Sequence, residues 1–197
     1  VLIFLSTHAM AVTIAHAPSG KNSAACSACR LLAQVIKTPF LSFVSSITSM
    51  IIFCAFDQQM EIIEEAKKHG LNKYINLVFT KNFSAQVLKA NMRVVGNCEY
   101  GLILYRDKLP KFNNNGKMVF NAMEWPRDNE SEKIHPTQKP IQLLQRLIAL
   151  FTDAGEVVID PCCGSGSTVI AAHRSERSGY GFEIKKDFSF SPSIFSF

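Results

Sequence analysis

Apolar residues fall into short bursts along this chain, separated by turn chemistry. The run Ile51-Ile52-Phe53-Cys54-Ala55-Phe56 has the length and composition of a buried parallel strand. After it, Met60, Ile62, Ile63 and Ala66 recur at helical spacing, with Asp57 placed to cap the start and Lys67, Lys68 and Gly70 forming an exit. Asn76 to Phe79 and Gly101 to Tyr105 predict two more strands, and Met118-Val119-Phe120 a short third. Ile141 to Phe151 is apolar on more than one face, which predicts a largely buried helix. Pro140 suits its first position, and Asp153-Ala154-Gly155 ends it. Val157-Val158-Ile159 predicts a buried strand ending at Asp160; Thr168 to His173 predicts a helix, and Tyr180 to Ile184 a last short strand.

The two ends of the chain lack this order. VLIFLSTHAMAVTIAHA has the outline of a signal sequence, an apolar run and then Ala15-His16-Ala17, but no basic stretch precedes it and residue 1 is not methionine. Its apolar runs are too short and interrupted to span a membrane. Pro18 to Ser23 reads as a loop, and Ala25 to Lys37 as a helix stopped by Thr38-Pro39. His8 and His16 have no periodic partners. The Ser-Phe repetition of the tail, residues 188–197, resembles frayed or foreign sequence rather than a core element.

Composition narrows the picture only a little. At 197 residues, 47% hydrophobic and 19% charged, the chain is globular rather than disordered and long enough for one sizeable core. A net charge of +5 suits a polyanionic partner without requiring one. Between Ala66 and Cys98 the bases Lys67, Lys68, Lys73, Lys81, Lys89 and Arg93 occur with no acid; a solvated helix face and a phosphate-tracking edge both fit. Cys26 and Cys29 have CxxC spacing but no second pair, Cys54 and Cys98 are isolated, and Cys162-Cys163 are adjacent. That pattern predicts reduced thiols in a cytoplasmic protein and no metal.

Candidate chemistry concentrates between Val157 and Ile184. Gly164 and Gly166 let the backbone turn sharply beneath a ligand, the following helix points its first amides there, and Glu183 lies about 20 residues on, where a ribose hydroxyl acceptor belongs. The third glycine of a dinucleotide fingerprint is replaced by Val169, and no lysine follows as in a phosphate loop. From this turn alone, a plain strand-to-helix junction, a dinucleotide site and an S-adenosylmethionine site all remain open.

The combination of His135-Pro136-Thr137-Gln138-Lys139-Pro140, a helix, DPCCGSGST (Asp160 to Thr168) and GYGFEI (Gly179 to Ile184) resembles the amino-methyltransferases that modify adenine or cytosine in DNA with S-adenosylmethionine. The likeness is to the group in which the cofactor half follows the catalytic half, and it covers Ile51 to Asp187. It implies an α/β, Rossmann-like three-layer fold with a mostly parallel sheet and one antiparallel strand near an edge. The methyltransferase domain would span residues 50–187, with a target-recognition insertion at 106–134, an unassigned and aberrant head at 1–49, and the tail at 188–197. The resemblance places Asp160, Cys162, Gly164, Ser165, Gly166 and Thr168 along the methionine and adenosine side of the cofactor. Glu183 would hold the ribose and Phe182 flank the adenine. His135, Thr137 and Lys139 would stand near the cofactor's amino-acid portion, Lys139 facing its carboxylate. Phe79-Thr80-Lys81 and Glu99 resemble an aromatic–x–Lys pattern and a glutamate familiar in the family. Lys81, Lys108, Lys111, Lys117 and Arg127 are the candidate contacts to double-stranded DNA, with Trp125 a candidate exposed aromatic. Acids in the insertion offset its bases, so an ordinary surface insertion also fits.

One element of the family is missing. The Asp/Asn/Ser-Pro-Pro-aromatic motif that orients the amine, beside a ring for the flipped base, has no counterpart, because the chain contains no Pro-Pro pair. It belongs between Val1 and Ser49, where Ala17-Pro18-Ser19 and Thr38-Pro39-Phe40 are poor substitutes. The expectation is therefore a fold incomplete at the N-terminus, with two strands and the catalytic motif lost or replaced, and no catalytic residue is assigned. The expected activity is site-specific, modification-type methylation of adenine, ahead of cytosine, by direct in-line transfer with no metal or covalent intermediate. A remnant that binds cofactor or DNA without transfer is the alternative. HPTQKP argues against a nicotinamide-dependent oxidoreductase.

Overall fold

In a computed structural model of the chain, residues 2–6, 49–82, 96–108, 111–127 and 138–183 are described. Seven strands form one sheet: β1 (Leu2–Ser6), β2 (Ser49–Cys54), β3 (Lys73–Thr80), β4 (Cys98–Tyr105), β5 (Ala122–Glu124), β6 (Val157–Asp160) and β7 (Ser178–Gly181). Their order across the sheet is β5-β3-β4-β2-β1-β6-β7. Only β4 is antiparallel to its neighbours, β2 and β3, and it stands third from one edge. Among the described residues three α-helices, α1 (Gln59–Lys68), α2 (Ile141–Phe151) and α3 (Ser167–Arg174), connect or flank these strands.

Alternation along the strands sorts the core into two faces. Phe4, Ile51, Phe53, Leu77, Phe79, Ile103, Met123 and Val158 point to one face, where they form a single cluster with the apolar side of α2 and with Ala171 and Ala172 of α3. Met50, Ile52, Cys54, Leu102 and Leu104 point to the other and are equally buried. Helix α1 covers that second face; its Gln59 Nε2 donates to Asn76 Oδ1 at 3.2 Å. The third layer is thus present, as the family likeness implied. Among the described residues no helix is long and apolar enough to cross a membrane.

Several expectations need correction. The head is not without an element: Leu2–Ser6 is the fifth strand across the sheet, wedged between β2 and β6. Leu2 and Phe4 are fully buried there. One of the two strands expected to be lost or replaced is therefore supplied from within the head, and among the described residues none lies beyond β7. The strand expected at Met118-Val119-Phe120 forms instead at Ala122–Glu124. Backbone bonds Val78 N→Asn121 O and Trp125 N→Thr80 O, both 2.9 Å, close the ladder there, while Met118 is 98% and Phe120 87% exposed. Asp57 does not cap α1; it lies in a 3-10 turn, and the Gln58 side chain accepts the Ala55 amide at 3.1 Å. The predicted helix at Ala25 to Lys37, the CxxC pair, His8, His16, His135, Thr137 and the tail lie outside the described residues.

Strand direction fixes where a site can be. The parallel strands end at Ser6, Cys54, Thr80, Glu124, Asp160 and Gly181, all along one edge of the layers. Connections diverge on either side of the β1–β6 junction, and open α/β sheets bind ligands outside the carboxyl ends at such a switch point. Helix α2 starts at this end and finishes at the opposite one, where the Arg177 guanidinium donates through Nε to Thr152 Oγ1 at 3.0 Å and holds the last turn. Cationic support of a helix C-terminus is electrostatically favourable. That anchorage fixes the other end of α2, and with it Lys139.

Candidate functional site

The turn after β6 is built by two glycines and two carboxylates. Asp160 ends the strand, buried, and accepts the Cys162 amide at 3.0 Å and a hydrogen bond from the Thr168 side chain. Gly164 (φ 49°) and Gly166 (φ 71°) take the left-handed conformation that a side chain resists, and Gly166 opens α3. Strand β7 lies parallel to β6 with Asp160 opposite Gly181, which brings Phe182 and Glu183 over the turn. Phe182 N donates to Asp160 O at 2.9 Å and Cys163 N to Phe182 O at 3.0 Å. Glu183 Oε2 then accepts the Gly164 amide at 2.9 Å. A Cβ on Gly164 would meet nothing within 4 Å, so the turn faces open space on that side.

The absent third glycine is compensated from the strand. Val169 stands on α3 where the fingerprint has glycine for close helix–strand packing. Here β7 supplies the room. A Cβ on Gly181 would lie 2.7 Å from Val169 Cγ2 and 2.9 Å from Cys163 Sγ, and one on Gly179 would lie 3.1 Å from Ala172 Cβ. Sequence reading sought this glycine on the helix; the GYG of β7 was its signal.

Electrostatics around the turn are anionic. Burial raises the Asp160 carboxyl above its ordinary value, against the Thr168 and Cys162 hydrogen bonds and the nearby Lys139 charge. Burial, with the carboxylates of Asp160 and Glu183, pushes the Cys162 and Cys163 thiols up to about 12. Neither is a nucleophile at neutral pH, since the thiolate is the reactive form. Ser165 and Ser167 share a hydrogen bond of 2.9 Å inside the turn.

Across from the carboxylates lies an aromatic floor. Phe53 of β2, Phe79 of β3 and Trp125 after β5 pack with centroids 5.2, 6.0 and 6.3 Å apart, the two Trp125 contacts edge-to-face. Gly101 of β4 permits this, because a Cβ there would come within 3.2 Å of Phe79 Cε2. Lys139 Nζ sits 4.8 Å over the Phe53 ring and Lys81 Nζ 5.0 Å over the Trp125 ring. Glu99 Oε1 lies 2.5 Å from Lys81 Nζ. Burial lowers Lys139 to about 8, opposed by the charges of Asp160 and Glu99. A row of alternating charge thus runs Asp160, Lys139, Glu99, Lys81 along the carboxyl end of the sheet. Sequence reading missed Phe53 as part of the site and placed Trp125 on the surface, whereas Trp125 is half-buried.

The candidate DNA contacts separate. Lys81 is turned inward onto Glu99 and Trp125, its side chain 14% exposed. Because β4 is antiparallel, Tyr105 pairs with the first residues of β2 and β3, and the chain leaves at the amino end of the sheet. Lys108 is exposed there. Lys111 pairs with Asp153, and Asn113 Nδ2 donates to Thr152 O at 2.8 Å, just past the C-terminus of α2. Lys117 closes the Asn114 turn. Lys108 and Lys111 therefore stand at the far end of the layers from Asp160, Lys139 and Glu183, and Lys117 lies on the way from there to β5. Among the described residues of this segment, Trp125 to Arg127 return to the carboxyl end, with Arg127 exposed. Among the described residues no group of three or more His, Cys, Asp or Glu side chains could hold a metal ion.

Comparison with known proteins gives a consistent picture. Residues 29–189 match the N6/N4 family model described as DNA methylase. The protein YubD of Escherichia coli (strain K12) is 30% identical over 161 residues, 82% of this chain and 63% of that protein. The DNA adenine methyltransferase YhdJ of the same organism is 30% identical over 131 residues, 63% of this chain and 45% of that one. The chain thus spans less than two thirds of the curated relatives it matches. Among solved structures, the M1.HpyAVI–SAM complex superposes with a TM-score of 0.67 at 23% identity, over 95% of this chain and 83% of that one. PvuII DNA methyltransferase, cytosine-N4-specific, gives 0.63 at 17% identity, over 95% and 76%. At such identities the likeness is one of fold.

Proposed function

The chain belongs to the N6/N4 DNA methylase family, and from that premise we propose that it transfers a methyl group from S-adenosylmethionine to the exocyclic amine of adenine in double-stranded DNA. The observation that carries the cofactor assignment is the pair of carboxylates, Asp160 and Glu183, around a glycine turn whose Gly164 amide is already bonded to Glu183. A pyrophosphate needs free amides and positive charge at this place. It would meet two acids instead. A sulfonium and an α-ammonium suit that field, a ribose diol suits Glu183, and a carboxylate suits Lys139 on the other side of Asp160. When bound, S-adenosylmethionine supplies an electrophilic methyl group.

In this reading Asp160 and Thr168 hold the cationic portion of the cofactor, Gly164 and Gly166 leave room for its body, and Ser165 and Cys162 line the turn. Phe182, 54% exposed beside Glu183, flanks the adenine. His135 and Thr137 join Lys139 from sequence alone. Arg127, at the same end as Trp125, contacts DNA phosphate. Adenine is preferred to cytosine because YhdJ, the relative carrying a named base, is an adenine methyltransferase at 30% identity, whereas the cytosine enzyme is like this chain at 17%.

A second reading, cofactor binding without transfer, is favoured by one fact: no Pro-Pro pair occurs in the chain. Titration calorimetry with S-adenosylmethionine, followed by tritium transfer to mixed-sequence duplex DNA, separates the two. Binding and label at N6 of adenine are the expected results. Binding without label supports the second reading, and absence of binding overturns both.

A further inference from the structure

We propose that a second copy of this chain docks on the α1 face of the sheet at its β3–β5 edge, through a two-fold interface in which each copy's α1 flank covers the other's open strands. Alternation along the strands defines the surface. Tyr100 of β4 pairs with Val78 of β3, and Val78 with Ala122 of β5, so Tyr74, Asn76, Val78, Tyr100 and Ala122 share the face on which α1 packs. Helix α1 reaches toward this edge as far as Asn76, to which Gln59 donates at 3.2 Å. Beyond that bond the face is open: Tyr74, Thr80, Ala122 and Glu124 are exposed. The opposite face of the same strands is sealed by Leu77, Phe79 and Met123.

Two apolar halves are bare on this side. One is the flank of α1 with the turn before it, where Phe56 is 69% and Met60 64% exposed. The Phe56 ring lies against Tyr100 with centroids 5.4 Å apart, which ties this half to the sheet. The other half is the open edge. Tyr74 is 49% exposed there, and Met118 and Phe120 turn outward because Val119 between them packs against the core. Asn121 Nδ2 donates to Asn76 O at 3.1 Å and holds this stretch beside β3. An aromatic side chain covers about 150–250 Å², so these five residues at their exposures offer on the order of 700 Å². That is more than the about 300–600 Å² of the largest patch on a typical monomer, and close to the ~800 Å² each partner gives to a stable complex.

The halves also match each other. A two-fold interface pairs one patch with a second patch twice over. Here one patch is a raised helix flank and the other a step where the helix layer stops. The partner's α1 brings to β3 and β5 the covering layer that an apolar sheet face requires. The turn after β6 lies toward the opposite edge of the sheet, so docking leaves it open, and the interface does not depend on methyl transfer.

Sedimentation equilibrium of the intact chain is the test. With rising concentration the wild type should pass from the chain mass of 21.9 kDa to twice that value, half-associated at or below about 10 μM. Met60→Asp on the helix half and Phe120→Asp on the sheet half should each raise that concentration at least about tenfold. An equimolar mixture of the two variants should associate more tightly than either alone, because a mixed dimer keeps one pairing in which both patches are wild type. A wild type that stays at the chain mass at about 100 μM overturns the proposal. So does a dimer that neither variant weakens, or a mixture no tighter than its components. Both side chains are exposed, so the fold should survive the changes. Should circular dichroism show otherwise, Met118→Asp replaces Phe120→Asp and Phe56→Ser replaces Met60→Asp in the same comparison.

Discussion

The Glu183 carboxylate accepts the amide of Gly164 at 2.9 Å, across 19 residues of chain. The bond exists because β7 runs parallel to β6 and the Phe182 backbone continues the pairing past Asp160, which leaves Glu183 no choice but to lie over the turn. It fixes one oxygen of the carboxylate and so orients the other. Glu183→Gln keeps an acceptor for Gly164 and loses the charge; Glu183→Ala loses both. Hydrogen bonds to a charged group contribute about 1.5–3 kcal/mol each. Titration calorimetry should therefore show S-adenosylmethionine weakened about tenfold to a hundredfold, with Ala the worse. Equal affinity in all three proteins would remove Glu183 from the site.

Packing of β7 on α3 yields a second prediction. Gly181→Ala places a Cβ 2.7 Å from Val169 Cγ2 and 2.9 Å from both Cβ and Sγ of Cys163. Overpacking of this kind costs about 1–3 kcal/mol. Val169→Ala relieves one of the contacts, so the double variant should be more stable than the sum of the single changes predicts. Urea midpoints at constant m-value would show it, and strict additivity would deny the contact.

Stability should also depend on pH through Lys139. Its folded value, lowered to about 8, lies below the ordinary lysine value of 10.5, so the unfolded chain binds more protons between those limits. Stability from this group therefore rises with pH from about 8 to 10.5 and is least below 8. Lys139→Met should flatten that rise relative to the wild type. A pair of urea curves at pH 7.5 and 9.5 decides it; parallel responses in the two proteins would place Lys139 in water.

A fourth prediction concerns DNA. Lys108 and Lys111 lie at the amino end of the sheet, Lys117 on the way from there to β5, and Arg127 at the carboxyl end. Replacing the three lysines together with alanine should leave the salt dependence of duplex binding nearly unchanged, whereas Arg127→Ala should reduce the slope by about one. The reverse result would put the DNA on the opposite end of the molecule. Loss of the exposed Lys111–Asp153 pair should cost at most about 1 kcal/mol of stability.

How far the sequence could be read follows from what each element is made of. IIFC, GLILY, VVID and the helix at Ile141 are largely buried, and their apolar runs announce them, although the run at Ile51 ends as a strand at Cys54 and leaves Phe56 exposed. The strand at Ala122–Glu124 is an edge held by backbone bonds to β3, with only Met123 buried, so the more apolar Met118 to Phe120 drew the expectation four residues early. Leu2–Ser6 was hidden differently: its apolar run merges into a stretch shaped like a signal sequence, and its partners lie 47 and 156 residues away. At the site, the glycine turn, Glu183 and Lys139 could be found because each belongs to a pattern. Phe53 and Trp125 could not, since their roles arise only when separate strands meet. Nothing in the one-dimensional order of lysines tells which end of a sheet an antiparallel strand will carry them to.

The wedging of Leu2–Ser6 between β2 and β6 bears on how the chain is made. A ribosome delivers residue 2 long before residue 158, so β1 waits with one flank bare while the chain between them is made. Closing so long a loop is entropically slow but thermodynamically cheap once done. Until then Leu2 and Phe4 are open to capture by a chaperone or by a neighbouring nascent chain, and expression yield should respond to holdase supply more than to the stability of the finished sheet.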